Sequence, residues 1–508
     1  MARHLCGVSR EPASVPPPSN RPIDRLGRWC TRALAWLGRK VMNSRLKEIT
    51  LLTLPYQVAA VLTALIAVGY AKLFELVEKL NERILDVHPD WIFLTAPVSF
   101  LLSWWLVARY APLAGGSGIP QLMAAIDVSN DHENDRSCRF LNVRIIIVKI
   151  FSSLSMVLGG GAVGREGPTL QIAGSVYRVV HKLLPSFWPR ISRRVMMITG
   201  GAAGLSAAFN TPLGGIVFAV EELTKTHLAN FRTAVFTSVI IAGMTAQQLM
   251  GSYLGAGEEL LYPKLSPVGG SFMYKVLAIG VVAGLSGAVF CKVVLLFDKL
   301  RRGLRSMPAQ AMWALGCAFL FAIVFHFLGD HVLGSGKLVL RQYLFERNVD
   351  PTWKDIVARI LGPLVSFSAG GAGGIFAPSL SSGAVIGGWI AQMFDPSAGE
   401  FRVLVLCGMV AFLTGVSRSP FTSAILVLEM TDRHSVIFQL MYAAMVAYMV
   451  SYSIDRKSYY ERMKLRLLAA MPSIEKRPEG RRGAKPSDPD QPSDDDPSSS
   501  PNAGIGLG

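Results

Sequence analysis

Between Asp135 and Glu221 the chain carries a single acidic residue, Glu166, within Gly164-Arg165-Glu166-Gly167-Pro168. Its neighbourhood is apolar and rich in glycine, so an ionised carboxylate there reaches water only at a cost. A charge held at membrane depth is expensive and marks ion or proton pathways by default. Such a group can carry a proton, or it can compete with an anion for one position. Two further acids stand side by side downstream, Glu221 and Glu222.

Three short segments share a second kind of chemistry. They are Gly116-Ser117-Gly118-Ile119-Pro120, Gly164–Pro168 and Gly374-Ile375-Phe376-Ala377-Pro378. Proline suits the first turn of a helix, where its missing N–H is not needed. Glycine lets backbone approach a ligand closely. Helix N-termini present unpaired N–H groups and partial positive charge. Three such ends converging form an anion site without a full positive charge, weak enough for the ion to leave. Singly, each segment reads as a helix-start kink or a packing glycine; together they point to an anion.

The elements that must hold these residues are membrane helices. Of 508 residues, 51% are hydrophobic and 17% charged, against about 25% charged in soluble domains. Charge-free runs cover Ile49–Ala71, Trp91–Ala108, Val195–Val220, Thr233–Gly257, Ser306–Gly329, Ile360–Phe394 and Ser435–Ile454. Each is long enough to cross a hydrocarbon core of about 30 Å. Runs around Val143–Gly164, Val276–Cys291 and Val403–Ser417 are shorter or broken by glycine. Interruptions of this kind are expected of broken or re-entrant helices enclosed by protein. The fold class is therefore an all-α polytopic membrane protein.

An internal repeat organises the body. Thr211-Pro212 leads to Glu221 and Ser419-Pro420 to Glu429, with nine residues from proline to glutamate in both copies. Pro168 precedes Pro212 by 44 residues, and Pro378 precedes Pro420 by 42. Two related halves are the expected plan of a secondary transporter. The expected organisation is a tail at 1–48 with a basic amphipathic helix, a first membrane repeat at 49–257, a second repeat with a final cytoplasm-facing helix at 258–470, and a disordered tail at 471–508. The last segment is rich in Pro, Ser and Asp and cannot bury a core.

The net charge of +16 does not indicate nucleic acid. Basic residues gather at Arg21–Lys47, Arg136–Arg144, Arg190–Arg194, Lys299–Arg305 and Lys457–Arg466, between apolar runs, as positive-inside bias requires. That bias puts both termini in the cytoplasm. The six cysteines show no paired spacing and read as reduced thiols. Gly159-Gly160-Gly161-Ala162-Val163-Gly164 matches a dinucleotide-binding pattern, but no acid follows at the required distance and the flanks are membrane-like. No phosphate-binding loop or zinc-protease motif occurs, so neither an enzyme, a metal site nor a cofactor is expected.

The glycine–proline segments, in this order, resemble the CLC family of chloride channels and chloride/proton exchangers. The resemblance spans roughly residues 50–466 and extends to Gly200–Glu222 and Ile425–Asp432. It implies two topologically inverted repeats, a homodimer with one pathway per subunit in the cell membrane, and chloride as the bound ion. By position, Ser117 would offer a hydroxyl to chloride, and Ile375 and Phe376 their backbone N–H groups. Glu166 would be the outer gate, ionised in the anion's place or protonated and swung aside. Glu222 matches the inner proton-transfer glutamate of exchangers. A tyrosine of the last helix would supply a second hydroxyl: Tyr459 or Tyr460, with Tyr460 favoured by alignment and Tyr459 reading as an interfacial aromatic. Gln121 follows Pro120 where relatives often carry glutamate, which bears on the inner vestibule. The implied function is chloride/proton antiport, with a passive chloride channel or a fluoride/proton antiporter as alternatives.

Overall fold

The computed structural model describes residues 44–129, 135–185, 188–224, 233–250, 270–346, 349–431 and 434–471. The basic amphipathic segment, the junction of the halves near 251–269 and the tail past 471 lie outside the described residues. One unit runs through Leu468, and a second begins at Ala469.

Among the described residues there are seventeen α-helices. The first half contains α1 (Ser44–Val87), α2 (Ile92–Tyr110), α3 (Ile119–Asp127), α4 (Val143–Leu158), α5 (Glu166–Leu183), α6 (Arg193–Phe209), α7 (Pro212–Phe218) and α8 (Thr233–Met250). The second contains α9 (Gly270–Gly303), α10 (Met307–Leu328), α11 (Lys337–Phe345), α12 (Trp353–Ser368), α13 (Phe376–Gln392), α14 (Ala398–Ser417), α15 (Pro420–Thr431) and α16 (Ile437–Ile454), followed by α17 (Tyr459–Ala469). The expected tail boundary at residue 48 falls inside α1.

Seven described helices are long and apolar enough to cross a membrane. Leu62, Leu65, Leu73 and Leu76 on α1 and Leu94, Val98 and Leu102 on α2 are exposed. Apolar surface of that extent belongs against lipid. At the opposite extreme, every residue of α14 from Val403 to Ser417 is buried, so protein surrounds this helix.

Local chemistry sets the helix boundaries. Asn142 starts α4 by accepting from Ile145 N at 2.9 Å. Thr352 with Asp355 and Ser397 with Glu400 form capping boxes for α12 and α14. Asn210 ends α6 and Arg418 ends α14, both left-handed with φ of 58° and 62°. Each is followed by a Ser or Thr and then the proline that opens the next helix, which is the sequence repeat seen as geometry.

Two charge-free runs long enough to cross in one pass are broken into two helices, as interrupted runs are expected to be. Val195–Val220 is interrupted at Asn210, and Ile360–Phe394 at Ala369–Ile375. Conversely, Val276–Cys291, expected as a broken segment, lies within the continuous α9. Its glycines serve close approach instead: a methyl on Gly284 would lie 2.7 Å from the Ala447 Cα of α16.

The halves exchange equivalent contacts. Gly164 N donates to Gly374 O at 2.8 Å and Gly374 N to Gly164 O at 2.6 Å, an antiparallel bridge between matching segments. Glu221 accepts from Phe421 N, Thr422 N and Thr422 Oγ1 at the start of α15. Glu429 accepts from Leu213 N and Gly214 N at the start of α7. Each repeat's glutamate thus caps the other repeat's helix, an exchange that fits two inverted copies. Among the cysteines, Cys291, Cys317 and Cys407 are free and buried. Cys138 is disulfide-bonded, so the expectation of reduced thiols fails at that position.

Candidate anion and proton site

Three loops bring the glycine–proline segments together. Gly116 N donates to Gly371 O at 2.8 Å and Gly373 N to Gly116 O at 3.2 Å, next to the Gly164–Gly374 bridge. Gly118 has φ of 102°, and a methyl there would lie 2.6 Å from Gly167 O. Positive φ and this close approach both require glycine. A methyl on Gly167 would lie 2.6 Å from Ser117 Oγ, and one on Gly374 2.8 Å from Gly167 N. The starts of α3, α5 and α13 therefore meet, with Ser117 beside the first turn of α5.

Glu166 opens α5 and is fully buried. Its carboxylate folds back over its own loop, since a methyl on Gly164 would strike Oε2. Ile375 and Phe376 open α13 and are also buried, and their N–H groups belong to the set a helix start leaves without intrahelical acceptors. The Phe376 ring is surrounded by aromatics: it stacks on Tyr460 at 6.0 Å and 17° and packs edgewise on Phe209 and Phe218.

Two hydroxyls stand out here. Ser117 Oγ and Tyr460 Oη are buried and have no hydrogen-bond partner among the described residues. Tyr459, expected as an interfacial aromatic, is 4% exposed and packs against Tyr460. It is a core residue, because α17 folds back under the body. The charge-free sequence between Ser435 and Ile454 gave no hint of that return.

Glu222 lies 3% exposed in a π-turn over Ala219–Leu223, with Oε2 accepting from Ser419 Oγ at 2.9 Å. The π-turn adds a residue to the helix end, so Glu221 and Glu222 both reach the start of α15. Glu222, Arg418, Arg456, Ser458 and Glu461 line a cavity of about 390 Å³. The structure thus brings Ser117, Glu166, Ile375, Phe376 and Tyr460 around the three helix starts. Glu222 lies just past the end of α7, bonded to Ser419.

Several further residues shape the site, and of these only Gln121 was singled out from sequence. Lys149 on α4 is fully buried and donates from Nζ to Ala114 O (2.9 Å) and Gly116 O (2.7 Å), holding the Ser117 loop. Gln171 Nε2 donates to Leu113 O and Phe140 O. Gln121 accepts from Gly118 N at 3.0 Å and donates to Gly115 O at 2.6 Å; at this position it braces the loop. Arg359 on α12 is fully buried, donating to His331 O and Leu333 O and to Ser381 Oγ of α13. Lys149 had a signal: it is the lone charge between Arg144 and Arg165.

Outside the apolar spans, His331 and Asp355 form a pair. His331 Nδ1 lies 2.6 Å from Asp355 Oδ1, and this hydrogen bond raises the imidazole's pKa. Burial alone would raise that of Asp355, but bonds from His331 and Thr352 outweigh it and bring it down to about 2.

Helix starts from two interlocked halves, converging around a buried carboxylate inside a bundle of apolar helices, define a membrane transport protein. The family described as voltage gated chloride channel matches residues 98–452. H(+)/Cl(-) exchange transporters ClcA from Salmonella paratyphi A and Salmonella agona are each 31% identical over 443 residues, 81% of this chain and 88% of theirs. The chain belongs to the CLC family. Its fold is similar to that of a slow cyanobacterial Cl-/H+ antiporter (TM-score 0.71, 23% identity, 83% of this chain and 99% of that one). It is also similar to a CLC-type fluoride/proton antiporter (0.66, 18%, 82% and 98%).

Proposed function

We propose that the protein exchanges chloride for protons, with Ser117, Ile375, Phe376 and Tyr460 holding the anion and Glu166 and Glu222 carrying the proton. The observation that supports this reading most is the pair of partnerless buried hydroxyls beside the helix starts. A buried polar group without a partner costs about 1–3 kcal/mol. A halide accepting both O–H groups and the N–H groups of α13 removes that cost and replaces its own hydration.

The coupling follows from one carboxylate having two states. Ionised, Glu166 competes for the positive ends of α5 and α13; protonated, it loses that attraction and leaves the position to chloride. Glu222, buried yet lining a cavity with Glu461 and two arginines, receives protons on the other side of the anion. No cofactor enters, because the two gradients supply the energy. A passive channel has no use for a buried titratable Glu222, and the exchanger names of the relatives favour antiport. Exposed apolar Leu213, Met244, Phe421, Met445 and Met449 on α7, α8, α15 and α16 suit a homodimer in the cell membrane, with both termini cytoplasmic.

Purified protein in liposomes, recorded with halide and pH electrodes together, tests the reading. Chloride efflux is expected to draw protons inward; Glu166→Ala and Glu222→Gln are each expected to abolish proton movement while chloride still crosses. A reversal potential that follows chloride alone under a pH gradient refutes coupling. Proton uptake that survives Glu166→Ala refutes the gate. Efflux of fluoride faster than chloride would favour the fluoride/proton alternative.

A further inference from the structure

Arg165, the residue before Glu166, has a side chain only 7% exposed. Its Nη1 donates to Ala71 O at 3.2 Å and lies 4.0 Å from Glu75 Oε1, both on α1. The same Glu75 oxygen is 2.8 Å from Lys337 Nζ at the start of α11. Three residues along α1, Glu78 accepts from Ser335 N (3.1 Å) and Ser335 Oγ (2.9 Å). Gly334 N donates to Gly160 O at 3.0 Å, on the turn leading to Glu166. One carboxylate of the first half therefore bridges a buried cation beside the gate and a cation of the second half.

We infer that Glu75 is a positioning residue for Glu166: by holding Arg165 toward α1 and balancing its charge, it sets the pH at which the gate protonates. The inference rests on Glu166 acting as the gate. As stability, the Glu75–Arg165 contact is worth little, being long and partly solvated. Its effect is electrostatic, because the field of a cation reaches far in a poorly polarisable surrounding. Tyr70 on α1 and Tyr460 on α17 lie within the field of Glu166, Tyr460 also within that of Glu222. Arg165, next to Glu166 in the chain, faces Glu75 and Glu78 on α1, which in turn meet Lys337 on α11 and Arg359 on α12, and Lys149 on α4 holds the Gly116 carbonyl. The facing helix α13 contributes no charged group. Removing one charge from this network changes the balance at the gate.

The signs are opposite for the two partners. Glu75→Gln removes a negative charge from beside Arg165 and Lys337, favours ionised Glu166, and lowers the pH at which transport is half-maximal. Lys337→Met removes a cation and raises it. A charge in direct contact shifts a carboxylate by about 1–3 units; through this bridge, about 0.5–1 unit is expected. The experiment is initial chloride efflux from liposomes of the full chain, with pH varied equally on both sides. Expected are opposite midpoint shifts for E75Q and K337M, a midpoint near the wild type for the double variant, and recovery of most of the E75Q shift by E75D. A slower rate with an unmoved midpoint, or shifts of the same sign, overturns the inference and leaves Glu75 a structural tie. If E75Q does not fold, K337M decides alone: a raised midpoint supports the inference and an unchanged one overturns it. Glu166→Ala separates the two levels of argument. Should that variant keep the full pH profile, the gate reading itself fails. Should it flatten the profile while E75Q and K337M leave the midpoint in place, only the role of Glu75 is lost.

Discussion

Tyr460→Phe removes one oxygen and leaves everything else in place. In most cores such a change strands a partner, so fold and ligand effects are mixed. Here Tyr460 Oη has no partner among the described residues, and the ring keeps its stack on Phe376 at 6.0 Å. The fold should therefore lose almost nothing, and the anion one O–H donor. A hydrogen bond to a charged group is worth about 1.5–3 kcal/mol, which corresponds to about 10- to 150-fold in affinity. Isothermal titration of chloride into purified protein reads the affinity, and thermal unfolding in chloride-free buffer reads the fold. Ser117→Ala should weaken binding by a similar factor for the same reason. Tyr459→Phe, one residue away on the same helix start, should change affinity by less than about threefold. Chloride affinity within about twofold of wild type for Tyr460→Phe would refute the reasoning, as would a fall in chloride-free stability matching the loss of affinity.

Two further outcomes follow from contacts away from the anion. Glu221→Gln and Glu429→Gln each weaken charge-assisted caps across the interface of the halves, and each should cost about 1–2 kcal/mol, read by denaturant or thermal unfolding in detergent, with coupling of at least about 0.5 kcal/mol in the double variant; strict additivity would mean that the two caps act independently. The His331–Asp355 pair gives a pH signature with a defined sign. His331 has a raised pKa, so its contribution is complete below about 6.5 and is lost as pH climbs through the folded value. Asp355 is depressed to about 2 from 3.8, so its share, about 2 kcal/mol, holds above pH ~4 and fades as pH falls toward 2. His331→Ala should remove the alkaline loss and leave a flatter stability profile; an unchanged profile would show the pair to be energetically silent.

Much of the fold was legible because its punctuation is local. Glycine and proline mark where helices begin, and they do so at Pro120, Pro168, Pro212, Pro378 and Pro420. What a charge-free run cannot tell is whether its environment is lipid or protein. Ile360–Phe394 is charge-free throughout, yet it holds two helices and the loop that meets the site, because protein encloses nearly all of it. The glycines of Val276–Cys291 misled in the other direction: they mark where α16 and α14 press on α9, and only the partner helices reveal that. The buried cations were hidden for a related reason. Lys149 binds backbone carbonyls, and Arg359 backbone carbonyls and the Ser381 hydroxyl, so no acidic partner elsewhere in the chain announces either of them.

The equal spacing from proline to glutamate shows how far local reading reaches. Nine residues separate Pro212 from Glu221 and Pro420 from Glu429, and that much is visible in the chain. The contacts, however, are exchanged: Glu221 caps the helix that Pro420 begins, and Glu429 caps the helix that Pro212 begins. A carboxylate within its own repeat could not do this, because the helix it ends points its N-terminus the other way. Inversion of one half brings each start beside the other's end, so the same arrangement that exchanges the caps also turns α5 and α13 toward one point. An anion site that joins helix starts of both halves needs halves that face each other, and the duplicated spacing is the trace such a pair leaves in one chain.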